Sequence, residues 1–403
     1  MDKAIDASFL QGTVASAVAL LRELIAFPSV SSTSNVDINQ WCCRVLEQLG
    51  FDVVSSEYTD RQGVRKANVV ARRDPVEPYR HTNGGVAYFC HTDVVPAKQW
   101  VGPTTDSASH RIGKDPFTAV VHDRRVYGRG ACDMKGSIAV MLAAVSRIDH
   151  RQQTAPIWFV CTADEEIGFG GAKHLVNHCP AYRDLAEHQP VALIGEPSEL
   201  NVVYAHKGVA GFRVHSRGRA GHSATNYGIN ATEAMVPMLV KLLQLCKRTR
   251  DDESLQDDRF DPPTLSWNFG VSDHSHVINI TPERCDAWVS LRPMPAADGL
   301  GLVDEAVAEA EALGLTVERV EGCGPLWSDP DSEHIVQLGQ IAETELQTVC
   351  YGTDGGILEG LSRRAVIGPG SIHQAHTVDE WISLDQIERG IDVYDRTLRH
   401  WCV

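Results

Sequence analysis

Eight side chains that could bind a metal or move a proton sit beside short apolar runs. His91 and Asp93 close GVAYFCHTDVV, and Asp133 lies in YGRGACDMKG. Glu165 and Glu166 follow IWFVC in TADEEIG, and Glu196 follows VALI in GEPSEL. His373 and His376 share GPGSIHQAHTVDE. Residues two apart on a strand face the same side, so Asp93 is placed to accept from the ring N–H of His91. A metal-bound histidine usually has such a partner. Adjacent glutamates cannot easily point the same way; one would bind metal while the other serves an attacking water as general base. Taken singly, each group has an ordinary reading as a surface pair, a solvated turn or a helix cap. Jointly they are more telling, because four strand-like runs end in His, Asp or Glu, and ligands of open α/β sheets gather at carboxyl strand ends. Histidine and carboxylate without cysteine suit zinc, cobalt or manganese at a catalytic site. The pattern alone leaves the choice between His373 and His376 open.

The elements that must position these groups alternate. Helical periodicity covers residues 13–26, 37–49 and 136–148, and continuous apolar runs at 157–161 and 191–194 read as strands buried on both faces. Strands separated by helices predict an α/β layer with a mostly parallel sheet. Near residue 202 the pattern changes. Strands at 211–215, 265–269 and 285–291 with helices at 229–247 and 302–313 predict a small α+β sandwich, carrying a solvated acidic loop, DDESLQDDRFDPP. The α/β pattern then resumes, with a helix at 333–346, a strand at 365–367 and a last helix opened by Ser383 and Gln386 as a capping box. The expected organisation is therefore 1–201 and 321–403 as one split domain, with 202–320 inserted.

The chain's 403 residues include 37 basic and 53 acidic ones, a net charge of −16. That balance argues against a nucleic-acid or anionic-membrane partner. Eleven cysteines without a C-x-x-C spacing read as reduced thiols, and the sequence shows neither a leader-like start nor an apolar run of transmembrane length, so a cytoplasmic protein is expected. No G-x-x-x-x-G-K-[ST] loop is present, and no G-x-G-x-x-G follows a strand.

Seven ordered stretches, HTDVVP, YGRGACDMKG, TADEEIG, GEPSEL, HKG, GRAGHSA and GPGSIHQAHTVDE, resemble the co-catalytic metallo-amidohydrolases. That family includes acetylornithine deacetylase, succinyl-diaminopimelate desuccinylase, aminoacylase-1 and carboxypeptidase G enzymes, and the pull is strongest toward the first. The resemblance implies a zinc-peptidase-like catalytic domain interrupted by a lid and dimerisation domain. It implies two divalent metal ions, zinc or cobalt. His91 and Glu196 would hold one, Glu166 and His376 the other, and Asp133 would bridge them, followed by a cis peptide. It implies Glu165 as general acid/base, Asp93 as orienter of His91, and His222 as an oxyanion donor from the second subunit of a homodimer. Asn279, Arg292, Asp354 and Gly370 would touch substrate. The implied reaction is hydrolysis of an N-acyl amino acid, first N-acetyl-L-ornithine to ornithine and acetate in arginine biosynthesis. Alternatives are desuccinylation of N-succinyl-diaminopimelate, another N-acyl amino acid or dipeptide, or a non-catalytic metal-binding pseudoenzyme. One stretch departs from the deacetylase pattern: YGTDGG (351–356) stands where a Thr-Glu-Ala type is expected, with Asp354 available for a cationic side chain.

Overall fold

The computed structural model describes residues 7–76, 84–103, 113–275 and 277–403. The first six residues of the leader reading lie outside them. The chain divides into two compact units: Met1–Tyr204 with Ser328–Gln347 and Thr353–Val403, and Ala205–Trp327 with Thr348–Gly352. The insert thus begins three residues later than residue 202, ends seven residues after residue 320, and recovers a short segment beyond it.

In the first unit the sheet runs in the order Asp52–Thr59, Arg65–Arg73, Ile157–Thr162, Val86–His91, Val191–Ile194, Arg364–Val366, and then the first three residues of strand Val202–His206. Its four central neighbours, from Ile157–Thr162 to Arg364–Val366, are parallel. The flanking pairings are antiparallel. Ile157–Thr162, Val86–His91 and Val191–Ile194 are buried at every residue, as their unbroken apolar runs require. Helix Lys135–Ser146 is buried on all sides from Lys135 to Val145. The final helix, Leu384–Cys402, packs against it and buries Ile387, Ile391, Tyr394 and Leu398.

Several strands escape sequence reading, two of them beside the central strands of the first unit. Asp52–Thr59 is an edge strand of mostly polar, exposed residues. Arg65–Arg73 is framed by cations, yet Lys66 and Arg73 are both buried. The helix expected over 333–346 stops at Ala342, where Glu343 takes a left-handed conformation, and Leu346–Val349 is a strand.

The insert is an antiparallel sheet in the order Ser266–Ser272, Arg284–Arg292, Val209–Arg217, Thr316–Cys323, with helices Ala231–Asp251 and Gly299–Ala312 against it. Burial alternates along Val209–Arg217 and Arg284–Arg292, the mark of a sheet covered on one face. The acidic loop is less solvated than expected. Asp257 and Phe260 are buried, and the Lys207 ammonium donates to the carbonyls of Pro262 and Thr264 at 2.8 and 2.7 Å.

Candidate active site

The four central parallel strands run the same way, so their carboxyl ends share one rim. His91 ends its strand. The turn bearing Glu165 and Glu166 follows Thr162, and Glu196 lies two residues past Ile194. His376 is carried by the loop after Val366. Asp133 precedes helix Lys135–Ser146, and its peptide to Met134 is cis.

These side chains form two groups with one member in common: His91, Asp133 and Glu196, and Asp133, Glu166 and His376. The Nε2 of His91 lies 3.0 Å from Asp133 Oδ1 and 3.7 Å from Glu196 Oε1. The Nε2 of His376 lies 3.4 Å from Asp133 Oδ2 and 3.0 Å from Glu166 Oε2. Each oxygen of Asp133 therefore faces a different histidine. His373 is exposed and belongs to neither group.

Among the protein's own groups the negative charge is poorly balanced. Burial, then the Asp133 charge, pushes Glu196 well above the ordinary carboxyl range and raises Glu166. Burial and the Glu196 charge push Glu165 well up. Burial opposes ionisation of Asp133 too, yet hydrogen bonds from His376 and His91 hold it below the usual range. Hydrogen bonds to Asp133 and Glu166 raise His376 to about 10. Four carboxyl groups around two histidines call for added cationic charge, since buried ions are stable only when compensated. The donor set, imidazole and carboxylate only, suits zinc and similar divalent ions. The residues present fit a pair of such ions, with Asp133 between them.

Asp93 acts differently from its expected role. The strand stops at His91, so the two residues do not share a strand face. The His91 Nδ1–H donates to the main-chain carbonyl of Asp93 at 2.9 Å, while the Asp93 carboxylate stands 3.6 Å away. That carboxylate instead accepts the Glu165 N–H at 3.3 Å. Asp93 still fixes the imidazole, through its backbone, and its side chain steadies the Glu165 turn.

Two of the expected substrate contacts are enclosed. Asp354 is 2% exposed, and its Oδ2 accepts from the Thr162 hydroxyl at 2.6 Å. Burial raises its carboxyl to about 6. It stands within the wall of the site rather than open to a cationic side chain. The Gly370 N–H is taken by Gln386 Oε1 at 3.1 Å, and the Gly370 carbonyl accepts from the Glu199 N–H at 2.7 Å. A side chain there would meet Cys132 Sγ at 2.6 Å, so Gly370 serves packing, and its N–H is not free for substrate.

The remaining expected residues belong to the insert. His222 is exposed, its Nδ1 accepts the Ala224 N–H at 3.1 Å, and its strand-like neighbour is Ile280. Asn279 is exposed beside it, its carbonyl accepting the Ser223 N–H at 3.0 Å. Arg292 ends its strand half-buried.

Sequence reading missed the residues beneath the Glu165 turn. Lys66 is wholly buried and donates to the carbonyls of Ser31 and Thr33 and to Asp164 Oδ1, the last at 2.5 Å. Asp164 also accepts from the Tyr58 hydroxyl at 2.8 Å and adopts φ +56. A left-handed non-glycine residue is costly unless its surroundings hold it, and here Lys66 and Tyr58 do. The sequence signal available was a lysine opening the mostly apolar stretch KANVVA.

Comparison with known proteins agrees with this geometry. The model of peptidase family M20/M25/M40 matches residues 87–400. An acetylornithine deacetylase of Proteus mirabilis is 30% identical over 400 residues, covering 96% of this chain and 97% of the relative. That of Photorhabdus laumondii is 28% identical over the same length. An M20 family metallo-carboxypeptidase from Sulfolobus solfataricus superposes with a TM-score of 0.73 at 17% identity, over 96% of this chain and 99% of that one. The di-peptidase Dug1p from Saccharomyces cerevisiae gives 0.72 at 14% identity, over 99% of each chain. With its family model matched from residue 87 to residue 400, the chain belongs to peptidase family M20/M25/M40 and is a hydrolase of that metal-using family.

Proposed function

We propose that the protein hydrolyses the N-acyl amide of an amino acid, with N-acetyl-L-ornithine as first substrate and two divalent ions, zinc or cobalt, as cofactors. The observation that carries this reading is the pair of ligand groups sharing Asp133, with Glu165 beside them and outside both. Divalent ions supply acidification of water and polarisation of the scissile carbonyl. His91, Glu196, Glu166, His376 and Asp133 would hold them. Glu165, whose carboxyl burial has raised, takes the proton of the attacking water and returns it to the leaving amine. The relatives named acetylornithine deacetylase support the substrate. The TDGG departure and the likeness to a di-peptidase favour a dipeptide or another N-acyl amino acid as the second reading.

A homodimer through the insert is part of the same proposal. Helix Ala231–Asp251 exposes Val236, Val240 and Leu243, an apolar stripe at helical spacing. Strand Ser266–Ser272 lies at the sheet edge, with an unpaired rim among the described residues. An exposed edge beside an apolar helix suits a second copy that continues the sheet. Because the Nδ1 of His222 accepts a backbone N–H, its neutral ring carries the proton on Nε2, a free donor for an oxyanion in the other subunit. Arg292 would meet the substrate carboxylate.

The test is a panel of N-acetyl, N-succinyl and dipeptide substrates with zinc- or cobalt-loaded protein. N-acetyl-L-ornithine should give the highest kcat/KM, and chelation should abolish turnover. Faster cleavage of a dipeptide would favour the second reading, and turnover that survives full chelation would remove the metal reading. Mixing inactive His222→Ala and Glu165→Ala proteins should restore partial activity if His222 acts across subunits.

A further inference from the structure

Glu380 and Arg129 form an ion pair that the reaction does not use directly. Their side chains are 1% and 4% exposed and meet at 2.7 Å. Glu380 Oε2 accepts from Arg129 Nη1 and from the Gly130 N–H at 2.9 Å. Its Oε1 accepts from the N–H groups of Cys132 and Asp133 at 2.8 and 2.9 Å. The acceptor sites of this carboxylate are therefore filled by one loop, the loop that presents Asp133. The other half of the Arg129 fork donates from Nη2 to the carbonyl of Thr377 at 3.0 Å, next to His376. The pair thus ties the backbone of Asp133 to the backbone beside His376.

This tie matters unequally for the two ligand groups. His91 ends a buried strand, and Glu196 closely follows another. His376 sits on a loop, has a side chain 52% exposed and adopts φ +63. Its position relative to Asp133 has no strand behind it. We propose that the Arg129–Glu380 pair is a positioning device that sets the affinity of the Asp133–Glu166–His376 group for its divalent ion. The proposal rests on the two-metal reading above.

The test titrates metal-free full-length protein with zinc chloride in a calorimeter and with cobalt chloride by visible absorption. Wild type should bind two ions; fewer would overturn the two-metal reading itself. Glu380→Gln keeps the volume but turns an amide donor toward N–H donors. It should weaken one site about 10- to 100-fold and leave the other within about 3-fold, the range that removal of a ligand's support usually gives. Turnover at limiting metal should fall and recover with excess metal, with KM for substrate unchanged. Arg129→Lys keeps the charge but cannot reach both acceptors, and should show a smaller loss at the same site. Wild-type affinity at both sites in either folded variant, or equal weakening of both, would overturn the proposal. If Glu380→Gln does not fold, Arg129→Lys decides by the same criterion.

Discussion

Glu165 and Glu166 are neighbours in sequence with separate surroundings. Glu166 faces His376, while Glu165 stands outside both ligand groups. Glu165→Ala should therefore keep two ions, by metal analysis, and lose about 10²- to 10⁴-fold in kcat, the usual contribution of a positioned base. Lys66→Met should act from beneath. It leaves the buried Asp164 carboxylate without its cation, and breaking such a pair costs about 3–5 kcal/mol. Denaturant unfolding should register that loss, and kcat should fall as the Asp164 turn relaxes. In the insert, Asp286 is held well below the ordinary carboxylate range: burial opposes this, but hydrogen bonds from Arg284, His215 and His274 prevail. A depressed folded pKa stabilises above the unfolded value and is lost as pH falls toward the folded one. Asp286→Asn should thus lower Tm at pH 7, and the difference should shrink as pH drops below about 4. The candidate ligand types and their strand-end positions were legible in sequence because chemistry restricts which residues can serve. Lys66 was not, because a lysine reads as solvent-exposed until the carbonyls that receive it are in place.

At the element scale, the last helix illustrates a half-fulfilled pattern. Ser383 accepts the Gln386 N–H at 3.1 Å, as a capping box requires. The Gln386 side chain does not return to Ser383; it takes the Gly370 N–H instead. Ser383→Ala should cost about 1 kcal/mol in chemical unfolding, the usual value of an N-cap. Gly171 shows why the helix after the Glu165 turn begins as it does. Its N–H donates to the Ala163 carbonyl at 2.9 Å, and an added Cβ would lie 2.3 Å from that same oxygen. Gly171→Ala should push the helix off the turn, with about 1–3 kcal/mol of overpacking and a loss of kcat measurable together. Buried central strands declared themselves by continuous apolar runs. The edge strand Asp52–Thr59 did not, since an exposed strand needs no apolar signal.

At the scale of the whole molecule, the split chain predicts two kinds of thermal behaviour. The ligand groups lie entirely in the first unit, so chelation should lower the transition of that unit, because an ion bound only by the folded state stabilises it by mass action. The transition of the insert should stay where it is, and scanning calorimetry with and without chelator would separate the two. A net charge of −16 had little bearing on the reaction: the functional carboxylates are few and clustered, and most of the 53 acidic residues serve the surface. The order of the segments also gives the centre a history. His91, Asp133 and Glu196 all precede the insert, whereas His376, Glu380 and the final helix, Leu384–Cys402, come after it. One candidate ligand trio is translated by residue 196, about 180 residues before His376. A second ion held by the Asp133, Glu166 and His376 group would therefore be acquired only after residue 376 has been made.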